Sequence, residues 1–547
     1  MSTADWVVLI GTLSCIIIYG IYKGNASRSL EGYILSDRSL PWYLVLLGIM
    51  GTQASAITFL SAPGQAYTDG MRFVQYYFGL PIAMIVIALF FVPVFRRLKV
   101  YTAYEFLEQR FDRKTRMLTA LLFLISRALS TGISIYAPSI ILSSLMGWNI
   151  YVTNCIMGGL LIVYTLVGGA KAVAYTQQLQ LLIILSGMFL AGYMAMHLLP
   201  EGTRFSDVLR QAGQSGRMNI ITTGVDAQGH FDWKDRYNIW SGLIGGCFLA
   251  LSYFGTDQSQ VGRFLTAKSD RESKLGLLIN GLVKIPMQFF ILLVGVLVFS
   301  FYQYHKAPVF FDQTRVELAR KAGFGARLEQ LEQQYLEARQ HQNTAEIAAT
   351  RSAYKAVIRE AIPGDDANDT NYIFLRFVVD YLPKGLVGLL IAVIFLAAWG
   401  SIAAALNSLA ACTMVDFHQL YFRKKLSEKQ SYRWAQVYTL FWGIFCVAVA
   451  LFAYNLGNSL IEAVNILGSL FYGVILGIFL VAFWLRQISG TAVFTAALIA
   501  EIMVIAIYRA EIISFLWLNV IGALLVILLS GLIQMLLPGR VSLKNRK

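Results

Sequence analysis

Hydrophobic segments of about 20 residues recur along the whole chain, separated by shorter polar stretches. A helix needs roughly 20 apolar residues to cross the hydrocarbon core of a bilayer. The chain is 57% hydrophobic and only 14% charged, which is typical of repeated membrane crossing and excludes an ordinary soluble domain. The pattern predicts an all-α polytopic membrane protein with about thirteen transmembrane helices, at residues 5–23, 41–62, 74–95, 117–146, 149–168, 176–199, 238–262, 276–303, 384–416, 433–455, 459–485, 490–508 and 511–537.

The loops between these segments differ in charge, and the difference predicts the topology. Lys and Arg cluster in alternate loops and in the tail, while the short loops between them are nearly free of both. Because basic loops stay in the cytoplasm, we expect the N-terminus outside and the C-terminus inside a plasma (inner) membrane. These loops account for the net charge of +14, so no nucleic-acid partner is implied. The basic positions are Lys23, Arg28, Arg38, Arg96, Arg97, Lys99, Arg110, Arg113, Lys114, Arg116, Arg263, Lys268, Arg271, Lys274, Arg423, Lys424, Lys425, Lys429, Arg433, Arg540, Lys544, Arg546 and Lys547.

Two of the predicted helices carry small and polar residues in their middle. The first is the stretch from Leu47 to Phe59, with Gly51 at its centre, and the second surrounds Gly255 five spans later. Interrupted helices at matching positions of two halves indicate a transporter built on inverted repeats. Close packing of helices through small residues is the alternative interpretation.

Segment nine presents a third polar stripe. Gly400, Ser401, Ala404, Asn407 and Ser408 share one helical face at the i, i+4, i+7 spacing. Hydroxyl and backbone carbonyl oxygens are suitable ligands for an alkali cation. The same stripe is also typical of a small-residue helix interface.

Two cationic side chains fall inside predicted membrane helices, Arg127 and Lys284. A charge at membrane depth costs several kcal/mol unless it has a partner. An anionic substrate would satisfy Arg127 if its side chain faces a cavity. A structural ion pair with Glu462 or Glu501 is the alternative.

The sequence contains no pattern of a catalytic or cofactor site. It lacks Walker A, GxSxG and HExxH motifs, and neither its five histidines nor its five cysteines show metal-ligand spacing. We therefore expect neither an enzyme nor a bound cofactor. The cysteines are expected to be buried thiols.

Two long loops are predicted outside the membrane, at 200–237 and 304–383. The part from Gln313 to Glu360 is rich in Ala, Glu, Arg and Gln and carries an apolar stripe at helical spacing. This stripe predicts a helical hairpin, which is either a simple solvated pair or a lid or docking element. The stripe consists of Leu328, Leu331, Tyr335 and Leu336.

Five stretches of the chain resemble the sodium/solute symporter family. They are SLPWYLVLLGIMGTQASAITF (39–59), YTAYEFLEQRF (101–111), GGAKAVAYTQQLQ (168–180), YFGTDQSQVGRFLTAKS (253–269) and AALNSLAACTMVDF (404–417). They follow the family order across about 380 residues. GISIYAPSIIL (132–142) and GTDQSQVGRFL are most similar to the iodide, multivitamin and monocarboxylate branch.

The resemblance implies the leucine-transporter fold, which has five-plus-five inverted repeats, one extra helix before them and two after. On this basis we expect five regions. They are 1–40 (the extra helix and a cytoplasmic loop), 41–199 (the first repeat), 200–237 (an outer loop), 238–485 (the second repeat, with the outer insertion 304–383) and 486–547 (two helices and a basic tail).

The resemblance also implies a sodium ion as coupling ion, between the first broken helix and the eighth core helix. Its ligands would be carbonyl oxygens and one hydroxyl, from Gly51, Ala54, Ala397 and Ser401. The sequence departs from the family at two supporting positions. Gln177 stands where an aspartate is usual, and Gly400 stands where a second hydroxyl is usual.

The family's substrate pocket maps to the middle of the membrane. By position its residues would be Thr58, Gln75, Tyr77, Ala250, Tyr253, Phe254, Lys284, Val464 and Asn465, with Arg127 as a candidate partner for an anion. Tyr253 would be an inner gate. Ala250 and Val464 stand where sugar carriers place hydrogen-bonding residues, which argues against a sugar.

These observations predict a secondary active transporter that works by alternating access. It would import a small polar solute together with a cation, and the leading expectations are an anion as the solute and sodium as the cation. Its expected partners are the small-molecule substrate and the lipid bilayer, and the oligomeric state stays open. Gln177 and Gly400 motivate one alternative, a sodium-independent or proton-coupled carrier of the same fold. The outer hairpin motivates another, a receptor or scaffold that does not transport.

Overall fold

The computed structural model describes residues 1–23, 29–226, 228–341, 343–364, 367–421, 426–453 and 459–537. Helices dominate these ranges, and the only β-pairing in them is two isolated bridges, Leu40 with Ala267 and Val225 with Phe231. The helices are α1 (Thr3–Lys23), α2 (Leu30–Leu35), α3 (Trp42–Gln53), α4 (Ala56–Asp69), α5 (Leu80–Val86), α6 (Val92–Arg97), α7 (Glu105–Arg110), α8 (Arg113–Met146), α9 (Ile150–His197), α10 (Phe205–Gln214), α11 (Gly246–Gly255), α12 (Gln258–Leu265), α13 (Asp270–Tyr304), α14 (Gln313–Ala319), α15 (Gly325–Gln340), α16 (Thr344–Ala361), α17 (Thr370–Tyr381), α18 (Leu386–Cys412), α19 (Gln419–Tyr421), α20 (Glu428–Phe452), α21 (Leu460–Trp484), α22 (Gly490–Arg509) and α23 (Phe515–Leu536).

The helices have the length and composition of a polytopic membrane protein. Within the described ranges, ten are long and apolar enough to cross a bilayer, and three shorter apolar helices accompany them, at Trp42–Gln53, Ile150–Leu166 and Ser241–Gly255. The predicted all-α membrane class is therefore confirmed. The inverted repeat and the exact number of crossings stay predictions.

Helix α9 runs without interruption through two predicted spans, 149–168 and 176–199. The hydroxyls of Tyr164 and Thr176 nevertheless lie 2.8 Å apart. A straight helix would separate these two residues by about 18 Å along its axis, at 1.5 Å per residue. The helix must therefore bend sharply between them.

Both predicted interruptions are present. Helix α3 ends at Gln53 and α4 begins at Ala56, with Ser55 in an extended conformation between them (φ −85°, ψ 170°). Helix α11 ends at Gly255 and α12 begins at Gln258, with Asp257 as its N-cap, whose carboxylate accepts a hydrogen bond from the Ser259 amide. Each break leaves backbone groups without helical partners at the centre of the protein.

Helix α18 is the central element of the bundle. Nearly all of its residues are buried, and it packs against α1, α8, α9 and α20 and, through the broken helix, against α3 and α4. Its Gly, Ala and Ser residues allow this close approach from several directions. The polar stripe of α18 is thereby placed beside the break between α3 and α4.

The outer insertion forms the predicted helical pair, α15 against α16, with a small apolar core of its own. Leu328 and Tyr335 are buried in this core and Leu331 is partly buried. Leu336 is exposed, so it does not belong to the apolar stripe that was predicted. Asp369 fixes the insertion at its base, because it pairs with Arg351 (3.0 Å) and Lys355 (3.0 Å). The insertion then continues into α17, which packs on α4.

Part of the predicted charge pattern falls outside the described residues, namely Arg28, Arg423, Lys424, Lys425, Arg540, Lys544, Arg546 and Lys547. Several of the described basic residues have acidic partners, and Arg116 and Arg96 are two examples. Arg116 pairs with Asp416 (2.8 Å) and Glu108 (2.6 Å), and Arg96 pairs with Asp270 (2.6 Å). The expectation of buried thiols is wrong for Cys15 and Cys155, which lie on exposed helix faces, while Cys412 and Cys446 are buried.

Candidate functional site

A central cavity of about 110 Å³ lies between the two helix breaks and helices α8, α18 and α21. Its wall mixes aromatic rings, small residues and a few polar groups, which is the usual composition of a small-molecule site. The lining residues are Thr52, Gln53, Ser55, Ile57, Thr58, Tyr76, Tyr77, Leu80, Arg127, Ser130, Thr131, Ser134, Gly246, Leu249, Ala250, Tyr253, Phe254, Ser401, Ile402, Ala405, Ile461, Val464, Asn465 and Tyr472.

Most of the residues predicted for the substrate pocket meet at this cavity. They come from α4, α8, α11, α21 and the 3-10 helix Gly70–Tyr77, which the fold brings together around the breaks. Those on the wall are Thr58, Tyr77, Arg127, Ala250, Tyr253, Phe254, Val464 and Asn465. Asn465 accepts a hydrogen bond from the Tyr76 hydroxyl (3.1 Å), so its side-chain oxygen already has a hydrogen-bond partner.

Two predicted pocket residues lie elsewhere. The side-chain amide of Gln75 is fully buried and donates to Thr222 Oγ1 (3.0 Å) and to the Tyr237 carbonyl (3.0 Å), so it attaches the 219–238 loop to the bundle. Lys284 is also fully buried, behind the ring of Tyr77, whose centroid is 5.6 Å from Lys284 Nζ. Both side chains therefore support the cavity wall from behind.

Arg127 projects to the cavity and pairs with an acidic residue that the sequence interpretation did not propose. Its guanidinium hydrogen-bonds and ion-pairs with the carboxylate of Asp257 and donates to the Tyr472 hydroxyl (3.0 Å). The Tyr472 hydroxyl in turn donates to Asp257 (3.0 Å). The ring of Tyr253 lies under the guanidinium, 5.4 Å from its carbon. Arg127, Asp257 and Tyr472 thus form one buried cluster, called here the Arg127 triad.

Neither proposed ion-pair partner of Arg127 takes that role. Glu462 pairs with Arg236 (2.8 Å) in the first turn of α21, and Glu501 is buried with no hydrogen-bond partner in the described part of the chain. The signal for Asp257 was present in the sequence, because an Asp directly after a predicted helix break is a favoured N-cap. Its other carboxylate oxygen remained free for Arg127.

The first break exposes the two carbonyl oxygens expected to bind sodium. The Ser55 amide would complete the helix by donating to the Gly51 carbonyl, but it donates to the Gln53 carbonyl (3.0 Å) instead. The Thr58 amide likewise donates to the Ser55 carbonyl (2.9 Å) rather than to that of Ala54. Both carbonyls are thus free of their helical donors. Neutral oxygens of this kind suit a hard monovalent cation.

Helix α18 places the other two expected ligands near this break. The Ser401 hydroxyl lines the central cavity and donates to the Ala397 carbonyl (2.9 Å). The lone pairs of the Ser401 hydroxyl oxygen remain available to a cation. The Ala397 carbonyl oxygen would share its lone pairs between the Ser401 hydroxyl and the cation. The residues present therefore fit a site made of neutral oxygens.

The two positions that depart from the family pattern, 177 and 400, contact each other. Gln177 Nε2 donates to the Gly400 carbonyl (3.0 Å), and its aliphatic stem fills the space between α3 and α18. A Cβ at Gly400 would lie 2.6 Å from Gln180 Oε1 and 3.2 Å from Gln177 Cγ. A side chain at position 400 would therefore displace the end of Gln180 and press against the stem of Gln177.

The model of the sodium:solute symporter family matches residues 33–318 and 347–500. The sodium/sialic acid symporter SiaT of Proteus mirabilis (strain HI4320) is 25% identical over 96% of this chain and 93% of its own length. The human sodium-coupled monocarboxylate transporter 1 is 27% identical over 87% of this chain and 68% of its own length. The human sodium/iodide cotransporter is 34% identical over 48% of this chain and 39% of its own length.

Solved structures show the same architecture. The substrate-bound, outward-open state of a Na⁺-coupled sialic acid symporter aligns with a TM-score of 0.77, 24% identity and 98% coverage of both chains. MHP1, a nucleobase-cation-symport-1 family transporter, aligns with a TM-score of 0.50 at 12% identity, over 94% of this chain and 96% of its own. Together with the family model, which spans most of the sequence, these findings establish that the chain belongs to the sodium:solute symporter family.

Proposed function

We propose that this protein is a secondary active symporter that carries a small polar anion together with sodium across the plasma (inner) membrane. The observation that carries the anion is the position of Arg127, whose guanidinium lines the central cavity with its Nε buried and without a partner. A guanidinium that still has a free donor beside an internal carboxylate is suited to bind a carboxylate or halide. The iodide and monocarboxylates named in two relatives are anions.

The substrate anion would compete with Asp257 for Arg127. Asp257 does not depend on Arg127 alone, because one of its oxygens caps α12 and the other also accepts from the Tyr472 hydroxyl. Transfer of Arg127 to the substrate therefore leaves Asp257 with three hydrogen bonds, including one from the Ser259 hydroxyl (2.6 Å). Because the triad joins α8, the second break and α21, substrate binding at Arg127 would loosen the contact between these elements. That loosening is the step we assign to the inner gate, with Tyr253 beside it.

Sodium would be held by the carbonyl oxygens of Gly51, Ala54 and Ala397 and by the Ser401 hydroxyl. Support comes from the missing helical donors at the first break and from membership of the family. Thr58, Tyr77, Phe254 and Asn465 would shape the substrate pocket. Gln75 and Lys284 would support the pocket wall from behind, Lys284 through the ring of Tyr77. The charge pattern supports an N-terminus outside and a C-terminus in the cytoplasm.

Coupling stoichiometry determines whether the membrane potential drives uptake. One sodium ion carried with one monovalent anion moves no net charge, so only the sodium concentration gradient does work. A second sodium ion would add about 2.3 kcal/mol per 100 mV, which is roughly fiftyfold in accumulation at about 1.4 kcal/mol per tenfold. Uptake that responds to an imposed potential would identify more than one sodium ion per anion.

Proteoliposome uptake tests the proposal. Small carboxylates, halides, vitamins and sugars are first screened by thermal stability with and without sodium, because any ligand of the folded state raises its apparent stability. Stabilising compounds are then measured for uptake with an inward sodium gradient and with potassium replacing sodium. Sodium-driven uptake of an anion supports the proposal, and uptake of neutral solutes alone contradicts the anion assignment.

Gln177 favours a second candidate, a sodium-independent or proton-coupled carrier of the same fold. An amide stands in place of the usual carboxylate beside the expected sodium ligands, so position 177 contributes no negative charge to the site. Equal uptake in sodium and potassium would support this candidate. Absence of transport for every stabilising ligand would favour a receptor instead.

A further inference from the structure

A second, smaller cavity lies between α12 and α18, away from the substrate cavity. Its volume of about 20 Å³ is enough for one particle of the size of a water molecule or a small ion. Arg263 and Asn407 both line it, and each is 6% exposed.

Arg263 is a buried cation without a counter-charge. Its Nε donates to the Thr52 hydroxyl (3.1 Å), and no carboxylate among the described residues lies within 4.0 Å of its guanidinium nitrogens. The nearest acidic residue along α12 is Asp257, which is engaged by Arg127. A buried guanidinium that lacks a negative partner is strongly unfavourable.

Some of the remaining polar groups of the wall have hydrogen-bond partners within the protein, and others have none. Both polar atoms of the Gln258 amide have a partner, the Ala103 amide and the Tyr101 carbonyl, and the hydroxyls of Ser259 and Ser408 donate to Asp257 and to the Ala404 carbonyl (2.8 Å). Asn407 has no hydrogen-bond partner at either amide atom. Asn407 and the outer N–H groups of Arg263 are therefore the donors available to a particle in the cavity.

The missing negative charge traces to Gln177. Both Arg263 and Gln177 approach Gly48, where a Cβ would lie 3.7 Å from Arg263 Cδ and 3.7 Å from Gln177 Oε1. Gln177 Oε1 is buried and without a hydrogen-bond partner. An isosteric carboxylate at this position would supply the charge that Arg263 lacks.

We propose that the cavity between α12 and α18 is a binding site for a small inorganic anion of the size of chloride, held by Arg263 and Asn407. The anion compensates the buried guanidinium, and it is distinct from the transported substrate, which would bind at Arg127. The site therefore makes the folded protein more stable in chloride whether or not the protein transports sodium.

Thermal unfolding of the purified full-length protein tests this site without any transport assay. Melting temperatures are measured in potassium chloride against potassium gluconate at constant ionic strength, so that sodium plays no part. We expect the melting temperature to rise with the logarithm of chloride concentration above its dissociation constant. Asn407→Leu should weaken the apparent chloride affinity at least tenfold, and Gln177→Glu should remove the chloride response because it installs a resident carboxylate.

Ser408→Ala is the matched control. Its hydroxyl lines the same cavity but is committed to the Ala404 carbonyl, so the chloride response should persist. A wild-type protein indifferent to chloride overturns the proposal and leaves a water as the occupant. A chloride response that survives unchanged in both Asn407→Leu and Gln177→Glu also overturns it, because the ion then binds elsewhere.

Discussion

Gln177 Nε2 donates a hydrogen bond to the carbonyl oxygen of Gly400, 3.0 Å away, and so joins the second arm of α9 to α18. The same amide lies 3.4 Å from the Thr52 hydroxyl on α3. One neutral side chain therefore bridges three helices at the place where the family usually has an aspartate. Its stem also occupies part of the space that a side chain at position 400 would need.

The first prediction follows from this packing. Gly400→Ser should destabilise the protein by about 1–3 kcal/mol, the usual cost of forcing extra atoms into a packed core. The clash is with Gln180 Oε1 and Gln177 Cγ. Shortening residue 177 relieves part of it, so Gly400→Ser combined with Gln177→Asp should melt at a higher temperature than Gly400→Ser alone. Strict additivity of the two changes would contradict the proposed coupling.

The second prediction concerns sodium. Gln177→Asp places a carboxylate beside neutral oxygen ligands and should lower the sodium concentration for half-maximal uptake about tenfold, or about 1.4 kcal/mol. The measurement is uptake in proteoliposomes against sodium concentration at fixed substrate. Gln177→Asn, equally short and uncharged, is the matched control. An effect of equal size in both variants would assign it to length instead of charge.

The sequence predicted the helix breaks well because Gly51 and Gly255 combine small size with polar neighbours in otherwise apolar segments. Most of the candidates for the substrate pocket also lie on the wall of the central cavity, among them Thr58, Tyr77 and Asn465. Lys284 shows the limit of this approach. Position along a helix does not say whether an intervening ring, here that of Tyr77, separates a side chain from the cavity.

The partner of Arg127 could not be predicted with the same ease. Ion pairs between distant segments depend on which faces meet, and Asp257 and Arg127 are 130 residues apart. Glu462 and Glu501 were reasonable candidates on charge alone, but Glu462 is taken by Arg236 from the outer loop. Local signals such as caps and breaks are carried by neighbouring residues. Tertiary pairing is decided by the whole fold.

The third prediction separates binding from folding at the Arg127 triad. Arg127→Gln should abolish anion uptake and also destabilise the protein by about 3–5 kcal/mol, because it leaves the buried Asp257 carboxylate without its cation. Arg127→Gln with Asp257→Asn removes both charges and should recover most of the thermal stability while uptake stays absent. Recovery of uptake in the double variant would show that Arg127 has only a structural role. Tyr472→Phe provides a milder comparison that keeps the ion pair.

The last prediction concerns acid stability of the outer insertion. Burial alone would raise the pKa of Asp369, but Arg351, Lys355 and the Phe311 amide hold that pKa below its ordinary value. A carboxylate whose pKa is lowered by folding stabilises the folded state above its unfolded pKa of about 3.9 and loses that contribution as pH falls through the folded pKa. Resistance of the insertion to an acid-active protease should therefore decline steeply below about pH 4 in the wild type. In Asp369→Asn the resistance should be low already at neutral pH and should change less with acidification. Glu360→Gln is the control, because Glu360 pairs with Arg327 on the exposed surface of the same insertion and should leave the acid profile unchanged. An identical acid profile for wild type and Asp369→Asn would contradict the assignment of Asp369 as the anchor of the insertion.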